Sequence, residues 1–228
     1  MNLYFVKTPK FVQRIFSKRI WAFPNNKNIV YLTFDDGPIP EVTPWVLDLL
    51  KDYKAEATFF CIGDNVKKHP HVFKRIISGG HSIGNHTFNH LNGWRTKTED
   101  YIENCVLFEK ISNCYTEPLE VPRQYNNSNL KPHHGKLFRP PYGKLSPRQF
   151  KTLQKKGYKI IMWDVLSADF DQNISKEKCL ENVLNSITSG SIVVFHDSLK
   201  SEEKLRYVLP KVLKYLKNEK YSIERIKY

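Results

Sequence analysis

The 228-residue sequence predicts an α/β fold, parallel strands joined by crossover helices within a single domain. Three observations predict it. Apolar, strand-like runs alternate with segments of helical period, the order expected of βαβ units. The runs are apolar almost throughout, as when both faces of a sheet are covered. Polar clusters follow the runs one after another: Asp35-Asp36 after residues 29–32, Arg139-Pro140-Pro141-Tyr142-Gly143 after Leu137-Phe138, Asp164 after residues 160–163, and His196-Asp197 after residues 192–195. Polar groups gathered at the carboxyl ends of parallel strands are how α/β barrels build their sites. Barrels of this length often form one unit.

In chain order, residues 1–27 form a basic N-terminal extension ahead of the domain proper, 28–228. The opening apolar stretch is too short for a signal-peptide core, and Lys7, Lys10 and Arg14 interrupt the residues after it. This favours the cytoplasm or the inner face of the membrane over secretion. Over 8–20, Phe11, Val12, Ile15 and Phe16 fall near one face of a helix, with Lys10, Arg14, Lys18 and Arg19 elsewhere. That pattern predicts a helix packed on the domain; the alternative is an anchor to an anionic membrane surface. Strands are predicted at 29–34, 57–62, 81–84, 136–138, 158–163, 191–195 and 221–225, and helices at 43–53, 66–78, 98–112, 147–156, 176–188 and 202–217. Residues 113–135 carry Pro118, Pro122, Pro132 and His133-His134 without visible period. They predict a long surface loop, a length usually tied to function or mobility.

Hydrophobic content of 40% and charged content of 26% are those of an ordinary globular protein, but the net charge of +13 is not. It favours anionic surroundings. No lysine block combines with interleaved aromatics or a nucleic-acid motif, so nucleic acid is not an expected partner. The four cysteines, Cys61, Cys105, Cys114 and Cys179, form no Cys-x-x-Cys pair, which excludes zinc-ribbon spacing. No run approaches the ~20 apolar residues of a membrane span.

The segment Thr33-Phe34-Asp35-Asp36-Gly37-Pro38 ends an apolar strand in two carboxylates. Adjacent side chains of an extended chain point apart, so Asp35 and Asp36 are expected to divide their roles. Asp-Gly-Pro is also good turn chemistry by itself. Downstream, His86 and His90 stand four residues apart, which predicts one face of a helical turn and suits a shared metal. Imidazole and carboxylate ligands fit zinc, and also cobalt, nickel or manganese. His81, just before, is expected to support the turn by hydrogen bonding, and His69 and His71 to lie on the surface.

Four motifs then appear in order: Thr33-Phe34-Asp35-Asp36-Gly37-Pro38, His86-Thr87-Phe88-Asn89-His90, Arg139-Pro140-Pro141-Tyr142-Gly143 and Val194-Phe195-His196-Asp197. Over residues 28–226 the chain resembles the polysaccharide deacetylase family, carbohydrate esterase family four. The resemblance implies a distorted (β/α)7 barrel and one divalent metal, usually zinc, held by Asp36, His86 and His90. It implies hydrolysis of the acetamide of an N-acetylated glycan, such as a chitooligosaccharide or peptidoglycan. Asp35 would be general base on the attacking water, oriented by Arg139. Tyr142, through its backbone N–H, and Pro140 would lie at the oxyanion and substrate side. His196 would protonate the leaving amine. Two alternatives remain: hydrolysis of a small non-sugar amide, and a catalytically weak glycan-binding homologue.

One motif departs from the family pattern. Where many members carry Asp-Ser-x-Asp-Trp, this chain has Leu166-Ser167-Ala168-Asp169-Phe170. Without the first Asp, the pKa of His196 is expected to fall, unless Asp164 or Asp169 takes its place. Asn89 stands where Ser is frequent.

Overall fold

The computed structural model describes residues 4–24, 27–116 and 136–228. Among these, the strands are β1 (Ile29–Asp35), β2 (Thr58–Cys61), β3 (Ser82–Asn85), β4 (Leu137–Phe138), β5 (Lys159–Ile160), β6 (Val165–Leu166), β7 (Ile192–His196) and β8 (Ser222–Ile223). They pair in parallel in the order β5-β4-β3-β2-β1-β7-β6, with β8 beside the start of β1. Helices surround this curled sheet: α1 (Lys10–Ile15), α2 (Thr43–Asp52), α3 (Gly63–Lys68), α4 (Pro70–Ser78), α5 (Thr98–Thr116), α6 (Pro147–Lys155), α7 (Lys176–Leu184) and α8 (Glu202–Asn218). The result is the expected distorted (β/α)7 barrel in a single α/β domain.

Alternation along β1 explains both the core and the site. Phe34, fully buried, stacks on Phe59 of β2 and Phe195 of β7 with ring centroids 5.0 and 5.9 Å apart. All three are in register and face the helices, packing among residues such as Val46, Leu50, Leu209 and Leu213. Thr33 and Asp35 therefore point the other way, into the barrel. There both meet the guanidinium of Arg139, which follows β4 and is fully buried.

Among the described residues the ring does not close by strand pairing, since β5 and β6 are the two ends of the sheet. The N-terminal segment runs across the seam instead. Ile20 donates to the Ile160 carbonyl and accepts from Met162, while Thr8 donates to Asp164 and Val6 accepts from Leu166, all at 2.7–2.9 Å. This is the physical reason for the barrel's distortion: the seam's backbone groups are satisfied by a non-sequential chain. Helix within 8–20 is confined to α1. Val12 packs inward there, whereas Phe11 and Ile15 are exposed, at 59 and 68%.

Three other elements differ from expectation. The single helix expected over 66–78 is two, because Pro70 disfavours helical geometry at His69 and starts a new helix as its first residue. The two-residue strand β6 is too short to leave a period in the sequence. Residues 113–116, expected as the start of a loop, complete α5, and 117–135 lie outside the described residues. The four cysteines are free thiols, and only Cys114 is exposed. Among the described residues no helix is long and apolar enough to cross a membrane.

Candidate active site

Every predicted site residue lies at or just beyond the carboxyl end of a strand. Asp35 ends β1, and Arg139 donates from Nη1 to its Oδ1 at 2.7 Å. The same guanidinium donates to Thr33 Oγ1 and to the Ile161 and Met162 carbonyls, and lies over the Phe60 ring, 4.1 Å from its centroid. A buried charge with this many partners is held in one orientation, and Asp35 with it. Pro140, buried, turns the chain after Arg139. Its carbonyl accepts from Gly143, and this turn presents Tyr142 to solvent, 60% exposed.

Asp36 leaves the strand in a left-handed conformation, φ 82, one that aspartate tolerates better than most residues. Its backbone is clamped by Phe60, which accepts its N–H, and Asn65, which donates to its carbonyl at 2.7 Å. Its side chain meets His86 and His90: Asp36 Oδ1 lies 3.7 Å from His86 Nε2 and 3.2 Å from His90 Nε2. One donor atom from each of the three falls within 4.8 Å of the others.

The two histidines converge by a route the sequence did not indicate. Residues 86–90 form a bent loop and not a helical turn, with Thr87 and His90 at φ 64 and 55. For Thr87, a β-branched residue, this is a strained backbone state, and neighbours impose it. Asn85 Oδ1 accepts from the Thr87 N–H, and Thr87 Oγ1 accepts from Leu91. Asn104 of α5 accepts from both Phe88 and Asn89 N–H and donates to Asn89 Oδ1.

These residues fit a cation. Asp36 Oδ1 is buried and has no hydrogen-bond partner. His86 Nδ1 is bound to the Arg139 carbonyl at 2.8 Å, so the proton sits on Nδ1 and Nε2 keeps its lone pair. His90 Nδ1 lies 3.1 Å from Tyr142 Oη, with the two rings 4.6 Å apart. Burial lowers the His86 pKa to about 4, against the pull of Asp35, so the imidazole is neutral at pH 7. Burial pushes the Asp36 carboxyl up, but His90, His196 and His86 outweigh it and hold the group well below the usual carboxylate range.

His196 ends β7 directly beside Asp35 in register. Asp169 binds it twice: Oδ1 is 2.7 Å from Nδ1, and Oδ2 accepts the backbone N–H at 2.7 Å. Burial works against the imidazolium, but the Asp169 charge and hydrogen bond outweigh it and raise His196 to about 9. The lowered pKa envisaged for a histidine facing Leu166 does not arise, because Asp169 supplies the carboxylate. Asp164 is not that partner. It accepts from Lys7 Nζ, Ser191 Oγ and the Ile192 N–H, tying the N-terminal segment to β7. Phe170, in the place of the family's Trp, packs edge-on against His196 at 5.1 Å.

Sequence reasoning assigned no role to three residues that build this site. Thr33 could have been found, since it stands two before Asp35 and shares its face. Asp197 adjoins His196 in the last motif. It is buried, accepts from the Gly37 N–H and Thr43 Oγ1, and burial raises its pKa to about 8. A Cβ on Gly37 would fall 2.1 Å from Asp197 Oδ2, so only glycine fits that approach. Asn104 leaves no local signal, because its partners are 15 and 16 residues away. His81 does not support the 86–90 segment as expected: it precedes β3, and its Nδ1 accepts from the Ala57 N–H just before β2.

Comparison with known proteins gives a consistent picture. Residues 23–161 match the family model described as polysaccharide deacetylase. Over 204 residues the chain is 38% identical to a peptidoglycan-N-acetylglucosamine deacetylase of Bacillus cereus, covering 88% of this chain and 87% of that protein. It is 30% identical over 206 residues to a chitooligosaccharide deacetylase of Azorhizobium caulinodans, covering 81 and 88% of the two chains. Among solved structures, a peptidoglycan N-acetylglucosamine deacetylase in complex with 4-naphthalen-1-yl-N-oxidanyl-benzamide superposes with a TM-score of 0.80 at 31% identity, over 95% of this chain and 94% of that one. A family model matched over more than half of the sequence, and relatives matched along most of theirs, lead to one conclusion: the chain belongs to the polysaccharide deacetylase family.

Proposed function

We propose that this protein hydrolyses the acetamide of N-acetylated sugars in a glycan of peptidoglycan or chitooligosaccharide type, releasing acetate and an amino sugar. The observation that carries the proposal is the meeting at adjacent strand ends of three convergent ligating groups, a buried Arg139–Asp35 pair and an Asp169–His196 pair. Asp36, His86 and His90 would hold one divalent cation. Zinc suits two imidazoles and a carboxylate, as do cobalt, nickel and manganese, and such a cation supplies Lewis acidity toward the acetamide carbonyl and water.

The chain's own groups divide the proton transfers. Arg139 occupies Oδ1 of Asp35, so the other carboxylate oxygen takes the proton from the attacking water. The N–H of Tyr142 donates to the oxyanion as the carbonyl becomes tetrahedral. His196, raised to about 9, is protonated at neutral pH. With Nδ1 bound to Asp169, its Nε2–H is the proton given to the amine as the C–N bond breaks. Tyr142 Oη fixes the His90 ring, an orienting role beside its backbone one.

Acetate release tests this. Wild type should release acetate from N-acetylglucosamine oligomers, lose the activity on chelation and regain it with zinc. Turnover of small non-sugar amides alone, or oligomer binding without acetate, would replace the proposal with one of its alternatives.

Surface contact with anionic lipid is part of the same reading. Phe11, Ile15 and Phe16 are exposed beside Lys10, Arg14 and Lys18, an apolar patch ringed by cations. Co-sedimentation with anionic but not zwitterionic vesicles is expected, and equal recovery with both would remove this contact.

A further inference from the structure

A second surface beside the site has no structural reason for its composition. Trp94 is 69% exposed, yet the loop that carries it is firmly built. Asn92 Oδ1 accepts from the Trp94 N–H, and the Asn92 carbonyl accepts from Thr96 Oγ1. Gln149, fully buried at the start of α6, donates to the carbonyls of Gly93 and Thr96. Gly93 is wedged so closely that a Cβ would lie 2.4 Å from the Lys144 carbonyl oxygen. A rigid loop that holds an indole out in water is a ready platform for the apolar face of a ligand.

The chemistry around the indole is cationic. Lys144 Nζ lies over the ring, 5.3 Å from its centroid. An open cleft of about 490 Å³ runs between this loop and the start of α6, lined by Trp94, Lys97, Glu99, Ser146 and Arg148 among others. Among the described residues, Lys97, Lys144 and Arg148 make no ion pair. Against them stands the single carboxylate of Glu99 in the cleft lining.

Two contacts link the cleft loop to the catalytic centre, Tyr142 on His90 and Lys144 over Trp94. The Tyr142 ring packs on His90, and Lys144 is two residues further on, at most about 7 Å of chain. A strand that presents an acetamide to Asp35 and His196 can pass over Tyr142 and reach Trp94. We propose that Trp94, Lys97, Lys144 and Arg148 form a subsite for a carboxylate-bearing sugar of the glycan strand. The sugar ring lies on the indole and the cations take its carboxylate. The assignment rests on the glycan-hydrolase reading of the centre and adds to it an acidic neighbour to the deacetylated residue.

Kinetics and direct binding test it together, on the full chain. The probes are an N-acetylglucosamine disaccharide, a neutral N-acetylglucosamine hexamer, and a peptidoglycan-derived oligosaccharide of similar length carrying free carboxylates. Wild type should bind the acidic oligomer more tightly than the neutral one, with a preference that falls as salt rises. Trp94→Ala should raise KM for the acidic oligomer by at least about tenfold and leave kcat/KM on the disaccharide unchanged. Arg148→Gln with Lys144→Gln should erase the acidic preference while the hexamer is still turned over. An equal loss on all three probes, or an acidic preference that survives both variants, overturns the subsite. If wild type releases no acetate, calorimetric binding still decides: acidic-oligomer binding lost in Trp94→Ala upholds the subsite while the hydrolase reading falls.

Discussion

Replacing Asp169 by Asn changes one charge and little else. Asn keeps the volume and an oxygen for the His196 N–H, but removes the carboxylate that sits 2.7 Å from Nδ1. Asp169 is fully buried and the His196 side chain is 15% exposed, so water screens this pair weakly. Wild-type His196 lies at about 9 because that carboxylate outweighs burial. Loss of an adjacent opposite charge is worth about one to three pKa units. The alkaline limb of the acetate-release profile should therefore move from near pH 9 down by that amount, with rate lost at neutral pH. Stability should follow the same sign: a histidine raised in the fold stabilises fully below its unfolded pKa of about 6.5 and loses that contribution as pH rises through about 9. The variant should show a flatter decline over that window. The assay is kcat/KM against pH, paired with NMR titration of the His196 ring. An unmoved limb with an unmoved ring titration would refute the reasoning.

Two structural predictions accompany it. Arg139→Ala leaves Asp35 buried beside an empty space and strips Thr33 Oγ1 and two carbonyls of their donor, so urea unfolding should show a loss of about 3–5 kcal/mol. Gly37→Ala places a methyl group 2.1 Å from Asp197 Oδ2, which must push the Asp36 loop aside; zinc affinity measured by calorimetry should weaken, with a stability loss of about 1–3 kcal/mol.

Much of this molecule is legible in its sequence because parallel strands confine their polar residues to the ends. Asp35-Asp36, Arg139 and His196 follow apolar runs, and that recurrence alone points to a common site. What is not legible depends on distant partners. The His86–His90 spacing suggests a helical turn, but Asn85 and Asn104 hold the loop in left-handed geometry that no local pattern announces. The choice between Asp164 and Asp169 is also long-range: Asp164 is claimed by Lys7, 157 residues away, which leaves Asp169 for His196. The same distance hides the role of the N-terminal segment, whose backbone completes a seam between β5 and β6.

The central claim is that Asp36 holds the cation and Asp35 moves the proton. Metal content per chain, measured together with acetate release for Asp35→Asn and Asp36→Asn, tests it most directly. Asn at 35 still offers Arg139 an acceptor, so that variant should fold, keep one cation per chain and lose turnover by at least about 10². Asp36→Asn should lose the cation and turnover together. A cation lost from Asp35→Asn and retained in Asp36→Asn would contradict the division of roles.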